Sequence, residues 1–176
     1  MFKAITVFTA FLTASSAWAA CPDYLKQEMR KLHSKDTVNL CEITEGKPVL
    51  VINTASHCGY TKQFKGLEAL NKQYGERGLQ VVGFASNDFR QEAKDEEKAA
   101  EVCYVNYGVT FTMLAPSHVR GGEANPVFQE LARRTEEPGW NFNKYLIDRD
   151  GNVVEHFGSS TSPDDKALTS AIESLL

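Results

Sequence analysis

The side chains best suited to covalent chemistry in this sequence are its four cysteines, and their surroundings separate them. Cys58 stands in Asn53-Thr54-Ala55-Ser56-His57-Cys58-Gly59-Tyr60-Thr61, directly after the aliphatic run Val49-Leu50-Val51-Ile52. An unbroken run of that kind predicts a central strand buried on both faces. In open α/β sheets, sites form at the carboxyl ends of strands. Thr61 is expected to cap the helix that follows, to about Tyr74, and a helix N-terminus stabilises a thiolate. Cys58 is therefore a candidate nucleophile. The competing reading, a structural core cysteine, fits poorly with its polar neighbours and Gly59.

No Cys-x-x-Cys is present, so neither a thioredoxin-type exchange motif nor a paired zinc ligand set exists. Cys21 and Cys41 lie on the N-terminal stretch and the first expected strand. In an oxidising compartment they would form a structural disulfide worth about 3 kcal/mol. Cys103 lies on the apolar side of an expected helix over 92–106, beside Ala99 and Val102, where a small buried hydrophobe is the plain reading. His33, His57, His118 and His156 are scattered, with no i, i+4 pair for a metal, and neither a metal nor a cofactor is expected. His57 could assist the Cys58 thiolate as a cation, but neighbouring residues on an extended loop point apart. Asp148 to Asn152 echoes a calcium loop, yet Gly151 falls at the fourth position rather than the sixth, and Ser159 stands where a Glu would be needed. It reads as a hairpin turn. Trp140-Asn141-Phe142 precedes an expected strand, either as core packing or as a pair of neutral donors, indole N–H and carboxamide, at one end of a sheet.

These residues need elements to hold them. Leu25, Met29 and Leu32 have helical spacing, Val38 to Ile43 alternates like a short strand, and Leu79 to Ala85 is a second apolar strand. Asn125 to Arg134 reads as a helix. Tyr145–Asp148 and Asn152–Phe157 read as a hairpin, and Pro163 is expected to open a last helix to Leu176. Strands and helices alternate, which predicts an α/β fold with a central mixed sheet flanked by helices. Hydrophobic residues make up 42% and charged residues 24%, so a folded domain is expected rather than disorder. A net charge of -4 supplies no basic field for nucleic acid or an anionic membrane. Residues 1–19 read as a signal peptide: Lys3, an apolar run from Ala4 to Leu12, and Ala17-Trp18-Ala19 as the cleavage site. Residues 20–176 are then one exported domain, periplasmic or secreted, with no stable membrane insertion after cleavage.

Three blocks resemble the glutathione peroxidase family in its cysteine-containing, non-selenium form. They are Asn53 to Gln63 with Gly66-Leu67-Glu68-Ala69-Leu70, Asn106 to Phe111, and Trp140 to Leu146. The resemblance implies a thioredoxin-like fold and the reduction of hydrogen peroxide and organic hydroperoxides, a role in the oxidative stress response. It makes Cys58 the peroxidatic residue and Trp140 and Asn141 two of its hydrogen-bonding partners. In two-cysteine members a resolving cysteine precedes the Asn-Tyr-Gly-Val-Thr-Phe block, and Cys103 stands there. If helical and buried, it must unwind partly to reach Cys58, since a disulfide spans only about 7 Å between Cα atoms. The family's catalytic Gln is replaced by Asp88 in Asn87-Asp88-Phe89. An ionised Asp88 near Cys58 would raise the thiol pKa. So Asp88 is protonated, or shuttles protons, or Asn87 supplies the donor. Thr112 replaces the usual Pro, and Gln91-Glu92-Ala93-Lys94 replaces Gln-Glu-Pro-Gly. The short stretch from Arg133 to Trp140 implies a monomer with an open site. The reductant is a thioredoxin-like protein or glutathione. A redox relay that passes its disulfide to a partner protein is the alternative, and a binding module with lost chemistry, motivated by Asp88 alone, is a third.

Overall fold

The computed structural model describes residues 21–176, so the leader expected over 1–19 lies outside the described residues. Leu25, Met29 and Leu32 do not form the helix their spacing suggests. They lie on a short 3-10 turn (Asp23–Leu25) and on an antiparallel hairpin of β1 (Glu28–Arg30) and β2 (Thr37–Asn39). His33, in the left-handed region at φ 51°, helps reverse the chain. Long-range bonds outweigh the local spacing: Leu32 N–H donates to Met113 O at 2.9 Å, and Ala115 N–H donates to Arg30 O at 2.9 Å. The strand expected over 38–43 stops at Asn39. Its side chain accepts from Cys41 N–H at 3.0 Å and starts a short helix, α1 (Leu40–Thr44). Cys41 is disulfide-bonded to Cys21 with 5.9 Å between Cα atoms, as the cysteine reading anticipated.

The aliphatic run forms β3 (Val49–Thr54), and every residue of it is buried. The helix α2 (Gln63–Gly75) then returns the chain to β4 (Gln80–Ala85), which pairs with β3 in parallel. The expected 92–106 helix is split. A five-residue α3 (Glu96–Ala100) runs straight into a π-helical turn over Glu101–Asn106. A strand that local pattern does not announce, β5 (Thr112–Leu114), pairs in parallel with β4. A Cβ at Gly83 would run into Met113 Sδ, so glycine leaves the space that the Met113 side chain of β5 fills over β4. Next comes α4 (Pro126–Arg134), whose cap Asn125 accepts from Phe128 N–H at 3.1 Å. The hairpin of β6 (Lys144–Ile147) and β7 (Val153–Phe157) adds to the other edge of β3, antiparallel. The last helix, α5 (Lys166–Leu175), starts three residues after Pro163, capped by Asp165.

The sheet order is β5-β4-β3-β6-β7. The pleat of β3 feeds two cores. Leu50 and Ile52 join Phe64, Leu67, Cys103, Leu168 and Ile172 from α2, the π turn and α5. Val49 and Val51 join Phe84, Phe128, Leu131 and Tyr145 on the face covered by α4. Helices thus cover both faces of one mixed sheet. The carboxyl ends of β3 and β4 and the start of antiparallel β6 all lie at one end of it.

Candidate active site

That shared end gathers the residues singled out from the sequence. Cys58 follows β3, Asp88 follows β4, and Trp140 and Asn141 precede β6. Three ties join the loops. Phe89 and Trp140 pack together with ring centroids 5.2 Å apart and planes tilted by 51°. His57 N–H donates to Gln91 O at 2.8 Å. Ser56 Oγ donates to the half-buried Glu92 carboxyl and receives Ala93 N–H at 2.9 Å.

Cys58 is a free thiol, 8% exposed. Its sulfur accepts from Tyr60 N–H at 3.4 Å. Thr61 does not cap α2. Its Oγ1 accepts Cys58 N–H at 2.9 Å and donates to Ala55 O at 2.9 Å, closing the nucleophile loop on itself. The helix starts instead after Lys62, with no side-chain cap. His57 is tied to Ser56 Oγ through Nδ1 at 2.8 Å. No His57 bond to the Cys58 sulfur occurs among the described residues.

Trp140 is 40% exposed, and Asn141 is fully buried. Phe142 holds a left-handed φ of 63°, strain offset by Phe142 N–H donating to Asn53 O at 2.6 Å and by edge-on packing against Phe64 at 5.2 Å. That kink turns Trp140 and Asn141 out of the line of β6. Both carboxamide atoms of Asn141 lack a hydrogen-bond partner among the described residues. A buried, unpaired amide loses about 1–3 kcal/mol of solvation, so it marks a donor kept for something else.

Asp88 bonds to the segment after β5. Its carboxylate accepts from the His118 ring at 2.6 Å and from Val119 N–H at 2.7 Å. Burial opposes its charge, but these two bonds prevail, and the carboxyl stays below the usual carboxylate range. Of the three roles left open by sequence, a protonated Asp88 does not fit. Asn87 accepts Glu92 N–H at 3.2 Å through Oδ1, and its amide nitrogen, the group a donor role would use, makes no bond among the described residues.

Cys103 is free and buried on the π turn, in the same apolar cluster as Cys58. Burial, with the Glu92 charge adding to it, pushes its thiol up to about 12. Val109 N–H donates to Cys103 O at 3.0 Å, which closes the turn. π turns often mark functional positions, because the extra residue per turn weakens the helical ladder.

Several site-shaping residues escape a sequence reading. Asn53 donates through Nδ2 to Trp140 O at 2.9 Å and accepts Asn143 N–H at 2.9 Å. A polar Asn inside an otherwise aliphatic run is the one signal that could have found it. Lys144 is buried with no carboxylate beside it, and donates to Gln63 Oε1 and Thr161 O, each at 2.6 Å. Burial pulls its ammonium down to about 8. It ties β6 to the first residue of α2. The Asp148–Asn152 segment is a turn: Asp148 accepts from Asp150 and Asn152 N–H, and no metal-ligating group of side chains occurs among the described residues.

The sequence pattern of the family described as glutathione peroxidase matches residues 23–132. The chain is 44% identical over 136 residues to a glutathione peroxidase of Lactococcus lactis subsp. cremoris, covering 74% of this chain and 86% of that one. It is 45% identical over 138 residues to a glutathione peroxidase-like peroxiredoxin of Schizosaccharomyces pombe, covering 75% and 86%. Among solved structures, the apo form of a protein called Trgpx superposes with TM-score 0.67 at 28% identity, covering 86% of this chain and 94% of that one. A thioredoxin-family thiol:disulfide interchange protein of Chlorobium tepidum superposes with TM-score 0.64 at 14% identity, covering 85% and 92%. The fold is thioredoxin-like.

Proposed function

The chain belongs to the glutathione peroxidase family, and from that membership we propose a thiol-dependent peroxidase cycle that runs through Cys58. The Cys58 thiolate attacks the distal oxygen of hydrogen peroxide or an organic hydroperoxide. An S–O bond forms, the O–O bond breaks, and the departing oxygen takes a proton to leave as water or an alcohol. Cys58 is left as a sulfenic acid. The Cys103 sulfur then attacks Cys58, an S–S bond forms and water leaves. A dithiol of a thioredoxin-like protein, or two molecules of glutathione, returns both cysteines to thiols and is itself oxidised to a disulfide.

The observation that carries this reading is the Asn141 carboxamide, buried and unpartnered at the sheet end where Cys58 sits. Next to it in the chain is an indole held against Phe89. Neutral donors of this kind stabilise a thiolate, and an oxygen gaining charge, without adding negative charge of their own. Resolution needs movement, because Cys103 is buried and its thiol is raised. Unwinding of the π turn supplies that movement and exposes the thiol to water, which favours its ionisation.

The test is one equivalent of cumene hydroperoxide on reduced protein. Loss of peroxide with a Cys58–Cys103 linkage, and no loss with Cys58→Ser, is the expected result. Unchanged peroxide with the parent protein overturns the reading. A mixed disulfide with one partner and no turnover would favour a redox relay.

Export to the periplasm or beyond is part of the proposal. It is supported by the signal-like residues 1–19 and by the Cys21–Cys41 disulfide, which persists in oxidising compartments. Cell fractionation with N-terminal sequencing tests it, with Ala20 expected as the first residue. The short stretch between Arg133 and Trp140 supports a monomer, which light scattering tests.

A further inference from the structure

His156 lies on β7, outside the residues assigned to the peroxide chemistry, yet it stands at the end of a hydrogen-bond chain that reaches them. Its ring stacks on Tyr145 with centroids 4.4 Å apart and planes 13° from parallel, which fixes its orientation. Nε2 sits 2.8 Å from Asn143 Oδ1. The amide nitrogen of Asn143 donates to Trp140 O at 2.8 Å and to Ser159 Oγ at 3.0 Å. A backbone carbonyl only accepts, so the Asn143 amide is oriented without ambiguity, and Nε2 of His156 must carry the hydrogen. Trp140 O therefore receives two carboxamide donors, one from Asn143 and one from Asn53. That carbonyl belongs to the Trp140–Asn141 peptide, so fixing its plane fixes the bases of both donor side chains at once. Asn53 is set by the central strand. Among the described residues, the Asn143 side-chain oxygen bonds to His156 alone.

We propose that His156 is a positioning residue for the peroxidatic site: through Asn143 it sets the Trp140–Asn141 peptide and thereby the two donors that stabilise the Cys58 thiolate. The inference rests on Trp140 and Asn141 serving Cys58. Burial holds the His156 ring below its ordinary value, and the hydrogen on Nε2 that this bond needs is present in the Nε2–H tautomer and in the imidazolium alike. Glu136, whose carboxylate lies 3.1 Å from Nδ1 and is 75% exposed, opposes that effect of burial and favours a hydrogen on Nδ1 as well.

The test reads Cys58 ionisation, as the rate of iodoacetamide alkylation against pH in a Cys103→Ser background. His156→Ala should raise the midpoint and slow alkylation below it about threefold or more, since half a pKa unit is that factor in thiolate. His156→Gln, whose amide can donate to Asn143 Oδ1, should restore the parent profile. A merely structural histidine would leave the midpoint in place, and an unchanged midpoint with His156→Ala overturns the proposal. Trp140→Phe and Asn141→Ala are the controls. If they too leave the midpoint unmoved, the donor assignment fails rather than the role of His156 within it. Should His156→Ala not fold, 15N NMR of the unsubstituted protein decides: an Nε2–H tautomer supports the chain of bonds, and an Nδ1–H tautomer breaks it.

Discussion

The carboxylate of Asp88 lies 2.6 Å from the His118 ring, thirty residues along the chain, and this pairing sets what Asp88 contributes. The neighbouring Phe89 packs on Trp140, so the turn after β4 carries two functions on adjacent residues. One side fixes the loop at His118 and Val119, and the other supports the indole. The charge of Asp88 is met there by the His118 ring and by Val119 N–H.

Asp88→Gln should therefore retain or increase the rate of Cys58 oxidation. The substitution removes a negative charge from the neighbourhood of a thiolate and leaves Trp140 and Asn141 untouched. Stopped-flow oxidation by hydrogen peroxide checks this. A loss beyond about tenfold, roughly 1.4 kcal/mol, would show that the carboxylate is needed in the chemistry.

The same pair predicts a pH window in stability. The Asp88 hydrogen bond holds His118 above 6.5, so that stabilisation is full below 6.5 and fades as pH rises through the higher folded value. Asp88 is held below 3.8, so its part is present above 3.8 and fades as pH falls through the lower folded value. Melting curves of His118→Asn against the parent should differ most between these limits and converge in alkaline buffer. A difference that is the same at pH 5 and pH 9 would rule the pairing out as a source of stability.

How much of this was legible in the sequence depended on how far apart the deciding atoms are. The Val49–Ile52 run declares β3 because burial on both faces leaves no room for polar residues, and Asn125-Pro126 declares a helix start by its own chemistry. Cys58 was legible as a candidate from its place after a buried strand, whereas the roles of Trp140 and Asn141 came from the family resemblance of their block. What failed depended on distant partners. Three-residue strands such as β1 and β5 have too few residues to show a period, and they exist because Leu32 and Arg30 bond to Met113 and Ala115. Thr61 looks like a helix cap until the Cys58 loop folds back to claim its hydroxyl. No pattern of side chains reveals that Cys103 sits on a π turn, because the added residue changes the ladder and not the composition.

Cys103→Ser should leave the first oxidation of Cys58 within about twofold of the parent and block the second step. The sulfenic acid should then persist long enough to be trapped with dimedone and seen as a mass increment on the Cys58 peptide. An intramolecular disulfide at Cys58 in this variant would refute Cys103 as the resolving residue.

Replacing both Cys21 and Cys41 with Ser should destabilise the fold by about 3 kcal/mol through the greater freedom of the unfolded chain. The bridge ties the N-terminal stretch to α1, far along the chain from the Cys58 loop. Peroxide consumption at 25 °C should be unchanged while the urea midpoint falls. Loss of activity at a temperature where the variant is fully folded would place the bridge in the redox cycle instead.

Glu92 offers the sharpest test of how the two redox cysteines communicate. Burial raises its carboxyl above the usual range, while Ser56 Oγ and the N–H groups of Ala93 and Ser56 bind it. It sits on the segment leading into α3, so it both clasps the Cys58 loop and adds to the burial that raises the Cys103 thiol. Glu92→Gln keeps an acceptor oxygen for the backbone donors but removes the charge and weakens the clasp. Both changes act in one direction: Cys103 ionises more readily and the segment before it opens more readily. Disulfide closure after Cys58 oxidation should be about two- to fivefold faster at pH 7, read as the second phase in stopped-flow fluorescence. Slower closure would mean that the clasp holds Cys103 in position to react, and that the π turn opens from its far end, at Asn106.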